Sequence, residues 1–182
     1  AAAASAPVDI YVVTNRWLNN YQPVDAVYLP GVMTLQLLAQ EYYLQQTGLG
    51  EAAIRPEYLQ AARDLYANRI SFEVFYAGTK PKLQDFIRPE FRATGAIGQT
   101  PYWQSVRAGE VYRWKSVTPL RTYYGGSDEV TPLYVAKLPE ATQAILGGAT
   151  TQAINTGDKA DHRAIFIHGV IDQKTWFDSL LK

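Results

Sequence analysis

Cysteine is absent from the sequence, which excludes disulfide scaffolds, thiolate metal sites and cysteine nucleophiles. An excess of either charge is absent too. Lys+Arg and Asp+Glu number 17 each, so no net field draws the chain toward nucleic acid or anionic lipid. No apolar run approaches the roughly 20 residues that a transmembrane helix needs, and no signal-peptide pattern is visible. The chain opens with Ala1 and not Met, so the start of the encoded protein is expected upstream. What is present is a globular composition. Across 182 residues, 47% are apolar and 19% charged, enough for a domain with its own core.

Three rhythms follow one another along the chain. Residues 1–14 read as a buried strand and its exit, with small Ala1 to Ala4 and β-branched Val8, Ile10, Val12 and Val13. Pro7 and Asp9 predict that the strand ends near Ala6. Thr14 to Gln22 reads as a loop or irregular turn. Residues 23–118 are helical and aromatic in pattern. Pro30-Gly31 reads as a turn before a helix over 32–46, with Leu35, Leu38, Tyr42 and Leu49 at helical spacing. Pro56 opens a second helix to about Ala67. Shorter pieces are predicted at 72–75, 83–87 and 100–106, punctuated by Pro81 and Pro89. The aromatic residues of this block read mainly as packing between short helices.

Residues 119–182 predict a strand over 119–124, helix over 133–146 restarted at Pro139, a strand over 149–155 and a long helix over 163–181. That helix carries Phe166, Val170, Phe177 and Leu181 on one face. Strand–helix–strand–helix order argues for parallel pairing in an α/β sheet. In such sheets, functional residues sit on loops beyond the carboxyl ends of the strands. Two loops qualify. Gly125-Gly126-Ser127-Asp128-Glu129 follows the first strand, and Gly157-Asp158-Lys159-Ala160-Asp161-His162 follows the second. One offers a carboxylate and the other an imidazole, so Asp128 can orient His162 as the acid of a triad orients its base. Glu129 is the competing acid. Asp161 reads mainly as a helix N-cap and His168 as a structural residue. Asp161, His162 and His168 form no tight metal-binding motif.

The segment "YYGGSDEVTP" resembles the acid loop of the α/β-hydrolase family. "GDKADHRAIFIHGVIDQKTWFDSL" is similar to the His loop and last helix of its bacterial esterase and lipase-like members. The opening "AAASAPVDI" resembles the strand after the nucleophile helix, where the chain leaves for the cap. The resemblance implies an α/β fold: the last parallel strands of a hydrolase sheet, with residues 15–118 as a cap insertion. It also implies hydrolysis of a small-molecule carboxylic ester, with Asp128 and His162 as triad members and Ser127, Tyr124 and Asp161 as nearby supporting candidates. No cofactor and no metal are called for, and an exported protein is slightly favoured. No Gly-x-Ser-x-Gly elbow occurs; Ser5, Ser71, Ser105, Ser116, Ser127 and Ser179 all lack that setting. The family's order then puts the nucleophile and oxyanion hole upstream of Ala1, in an N-terminal half that is covalently joined or a separate chain. A peptidase or amidase of the same fold, and a non-catalytic helical binding module, are the alternative readings.

Overall fold

The computed structural model describes residues 1–79, 82–92 and 100–181; Pro81 lies outside them. The chain divides into two compact units. One comprises Ala1–Val13 and the chain from Gly109 onward; the other is Thr14–Ala108. Residues 109–118 thus group with the sheet, whereas the sequence pattern joins them to the helical block.

The sheet unit is built on three strands, β1 (Ala2–Ala4), β2 (Leu120–Tyr124) and β3 (Thr151–Asn155). They are parallel and adjacent in chain order, with Ala3 opposite Thr122 and Thr122 opposite Ala153. Side chains alternate across β2. Tyr123 is fully buried in a core with Ala160 and Ile165, against Ala2, Ala4, Ile154 and Ala164. Thr122 faces the other way and donates from Oγ1 to the carbonyl of Ala136 at 2.7 Å. The opening alanines suit a strand that must lie under a closely packed helix, because they leave room for the Tyr123 ring.

Some local predictions fail for identifiable reasons. Thr14 to Gln22 is largely helical, in α1 (Ile10–Asn19). Asp9 makes this possible: its Oδ1 accepts from the N–H of Val12 at 2.9 Å, as an N-cap does. Val13, Trp17 and Leu18 are buried at helical spacing, so packing overrides the local preference of Thr and Asn for turns. β1 stops at Ala4, and the β-branched residues after it belong to the turn and to α1.

In the second unit, Pro30 and Gly31 are not a turn but lie in the first turn of α2 (Leu29–Tyr43), where proline needs no donor. Its buried positions include Leu29, Met33, Leu37 and Leu38, while Leu35 and Tyr42 are exposed. A short helix, α3 (Leu49–Ala53), follows a left-handed Gly48. Next come α4 (Pro56–Tyr66), α5 (Phe72–Gly78), α6 (Leu83–Phe86), α7 (Pro89–Arg92) and α8 (Pro101–Ala108). The aromatic residues here do pack the helices. Phe75 meets Phe86 edge-on and Phe86 stacks on Tyr58, while Tyr102 and Trp103 are buried against Phe91.

After β2 come α9 (Leu133–Ala136) and α10 (Leu138–Leu146), and after β3 the long α11 (His162–Leu180). α11 buries Ile165 and Gly169, not the face with the larger side chains. A Cβ on Gly169 would sit 3.3 Å from the Tyr123 ring. The helix therefore approaches the sheet through its smallest residue. Phe166, Val170, Phe177 and Leu181 are exposed instead.

Candidate functional site

The loops after β2 and β3 are fastened together by their backbones. Gly126 N–H donates to the carbonyl of Gly157 at 3.0 Å, and Ser127 N–H to that of Ala160 at 3.1 Å. A Cβ on Gly125 would overlap the Ala160 carbonyl, and one on Gly126 the backbone of Asp158. The glycines are required because two main chains meet there. We therefore expect Gly125→Ala to force the loops apart, lowering stability by roughly 1–3 kcal/mol, as overpacking does. Urea denaturation of the variant measures it, and an unchanged midpoint would contradict the role given to this glycine.

This fastening brings Asp128 and His162 together. Oδ1 of Asp128 lies 3.1 Å from Nδ1 of His162. The Asp128 side chain is 2% exposed and that of His162 28%. Asp128 Oδ1 also accepts from the N–H groups of Val130 and Thr131, both at 2.9 Å. His162 is the first residue of α11, whose N-cap is Asp161 through a 2.8 Å bond from Ala164 N–H. Phe166, one turn on, sets its ring edge-to-face with the imidazole at 5.5 Å between centroids.

Ser5, which sequence reasoning set aside, stands at the same point. It follows the carboxyl end of β1 as the two loops follow β2 and β3, and it is 2% exposed. Its Oγ donates to Oδ2 of Asp128 and lies 2.7 Å from Nδ1 of His162. The strand-end rule that selected the two loops applies equally here, and was the signal available for finding it.

The other candidates are placed elsewhere. Glu129 accepts from the main-chain N–H of His162 at 2.9 Å. Ser127 Oγ donates to the carbonyl of Asp158 at 3.0 Å, bracing the two loops. The Tyr124 ring lies under Lys137 Nζ at 4.7 Å, and its carbonyl accepts from Thr156. His168 Nδ1 is 3.4 Å from the carbonyl of Thr156. Among the described residues, no group of three or more His, Asp or Glu side chains is arranged to hold a metal ion, and no helix is long and apolar enough to cross a membrane.

The electrostatics follow from these contacts. Burial acts to raise the Asp128 carboxyl, but the hydrogen bonds from His162, Ser5 and the backbone of Thr131 and Val130 outweigh it and hold it below the ordinary range. The hydrogen bond to Asp128 raises His162 above its ordinary value; burial opposes this, and the charges of Asp128, Glu129 and Asp161 add to it. An ionised carboxylate only accepts, so the nitrogen facing it must donate. Neutral His162 is therefore held with its hydrogen on Nδ1 and its lone pair on Nε2.

No family model matches the sequence, and no curated protein matches it. Solved structures do match the fold. The rice cell wall degrading esterase LipA from Xanthomonas oryzae aligns with a TM-score of 0.74 and 14% identity, over 96% of this chain and 47% of its own. A Legionella pneumophila protein classed as a hydrolase aligns with a TM-score of 0.77 and 13% identity, over 98% of this chain and 48% of its own. The chain thus spans about half the length of the structures it matches, and its fold is that of the C-terminal part of an α/β-hydrolase.

Proposed function

We propose that this chain is the C-terminal part of a serine-type carboxylic-ester hydrolase, supplying the base and the acid of its triad. The observation that carries the reading is the 3.1 Å contact between Asp128 and His162. It forms at the carboxyl ends of neighbouring parallel strands, in a fold shared with an esterase. In this reading the serine and the oxyanion donors come from the N-terminal half of the same hydrolase, covalently joined or as a separate chain. His162 takes the serine proton through Nε2 as the serine oxygen bonds to the ester carbonyl carbon. It then returns that proton to the departing alcohol. Water repeats the sequence on the acyl-serine. Asp128 fixes the tautomer and stabilises the imidazolium without taking the proton. The substrate is a small-molecule ester, and no step calls on a cofactor or metal. The 3.1 Å contact also weighs against a non-catalytic binding module, which requires no such pairing.

The test is hydrolysis of a chromogenic short-chain ester by the full-length protein, against the matching amide. Ester turnover supports the reading; turnover of the amide alone would replace it with a peptidase or amidase of the same fold.

The pH dependence has a defined sign. His162 must be neutral to accept a proton, so kcat/KM falls as pH drops through its folded-state pKa, which lies above the ordinary 6.5. Asp128→Asn keeps an oxygen that can accept from Nδ1–H but removes the negative charge, and with it the charge-assisted part of the hydrogen bond, so the acid limb of the profile moves to lower pH. Stability runs the other way. The His162 contribution is complete below its unfolded value near 6.5 and is lost as pH rises through the raised folded value. The Asp128 contribution is present above its unfolded value near 3.8 and is lost as pH falls through the lowered one. A kcat/KM profile of wild type and D128N checks this; an acid limb that stays in place would contradict the assignment.

A further inference from the structure

Ser5 is tied at every polar atom. Its N–H donates to the carbonyl of Tyr123 at 2.9 Å, extending the β1–β2 ladder by one residue. Its carbonyl accepts from Oγ1 of Thr131 at 3.0 Å, and Thr131, itself 1% exposed, also donates its N–H to Asp128. Its Oγ bridges Asp128 and His162. The backbone that delivers this hydroxyl has φ +45°, a left-handed conformation that costs a non-glycine residue free energy and persists where the surroundings over-determine it. Glycine would satisfy such a turn at lower cost, yet the residue present is one with a hydroxyl.

Two roles are open to a buried serine touching a histidine and an aspartate, and the geometry separates them. A nucleophile must give its proton to the imidazole nitrogen that points away from the acid. Ser5 Oγ instead lies on Nδ1, the nitrogen that Asp128 already occupies, and its own hydrogen is directed at Oδ2 of Asp128. Nε2 takes no part in these contacts. The hydroxyl completes a closed ring: Nδ1–H toward Oδ1 and Oγ, and Oγ–H toward Oδ2. With the N–H groups of Val130 and Thr131, it brings four donors to one carboxylate, about as many as its lone-pair sites accommodate.

Resting on the triad reading above, we propose that Ser5 is a positioning residue. Its hydroxyl locks the Asp128 carboxylate and the Nδ1 edge of His162 in the orientation that leaves Nε2 to work as the base.

The experiment uses the full-length protein and compares wild type with S5A, S5G and H162A. S5A removes the hydroxyl and keeps the backbone demand; S5G removes the hydroxyl and relieves it. Both are expected to lower kcat for a chromogenic short-chain ester by about 10- to 100-fold, the scale of one hydrogen bond to a charged group, with KM unchanged. In both, the low-field NMR resonance of the His162 Nδ1 proton should shift and exchange faster with water, a change that loss of mere packing does not produce. A fluorophosphonate probe should label the same serine, outside these 182 residues, in S5A and S5G as in wild type. Wild-type kcat in S5G would overturn the proposal, since only the turn would then matter. Probe attached to Ser5 would overturn it in favour of a nucleophile. H162A separates the two levels: full activity in H162A would overturn the triad reading and the Ser5 proposal together. An inactive H162A beside a fully active S5G defeats only the latter.

Discussion

His162→Ala in the full-length protein should lower kcat for an ester by about 10⁶-fold, and Asp128→Asn by about 10⁴-fold, each with little change in KM. The two differ because the residues act at different removes from the reacting atoms. In the proposed triad, nothing takes the serine proton once the imidazole is gone. Without the carboxylate charge, the imidazole remains and an asparagine oxygen can still accept from Nδ1–H, but the anion that stabilises its cation is gone. KM is preserved because these interactions strengthen only as the proton moves. Glu129→Gln is the control. Glu129 accepts from the main-chain N–H at the start of α11, an acceptor role that a glutamine carbonyl can also fill, so its kcat should stay within about tenfold of wild type. Steady-state kinetics on the three variants decide the acid. A larger loss in E129Q than in D128N would transfer the assignment to Glu129.

The parts of this site that were legible in the sequence are those that local chemistry spells out. A strand, a pair of glycines and an Asp in one loop, and a strand, a glycine and a His in another, mark two strand ends without reference to the rest of the chain. Their parallel pairing followed from the helix between them. Ser5 is invisible to the serine-elbow pattern, which describes a nucleophile, and a positioning hydroxyl carries no such pattern. The helix over Ile10–Asn19 was hidden by Thr14, Asn15 and Asn19, whose turn preference yields to the burial of Val13, Trp17 and Leu18. The packed face of α11 differs from the one its sequence suggests for a geometric reason. The large apolar residues suggest the core, but the helix reaches Tyr123 through Ile165 and Gly169, and what a small residue contributes, close approach, has no hydrophobic signature.

The large side chains left outside on α11 bear on the last prediction. Residues 1–182 expressed alone are expected to show no ester hydrolysis above background, to take up no fluorophosphonate and to aggregate or associate. The one serine hydroxyl placed against His162 among the described residues is that of Ser5, on the wrong nitrogen for attack. An esterase without its nucleophile forfeits about 10⁶ in kcat. The surface argues in the same direction. Among the described residues β1 pairs on one side only, with β2, and parallel strands are normally covered and paired. Phe166, Ile167, Val170 and Ile171 are 49–73% exposed along neighbouring turns of α11, and contiguous apolar surface of this kind marks a face that another element covers. On the ester-hydrolase reading proposed above, the occupant is an N-terminal half of the protein; the matched esterase and hydrolase chains are about twice as long as the span they share with this one. Adding that half, joined or co-expressed, should restore a monodisperse product, ester turnover and probe labelling at a serine outside these residues. Size-exclusion chromatography with the ester and probe assays reads all three. A monomeric, well-folded 182-residue product that hydrolyses the ester and carries the probe on one of its own serines would defeat the proposal. Ser5 would then be the first residue to map.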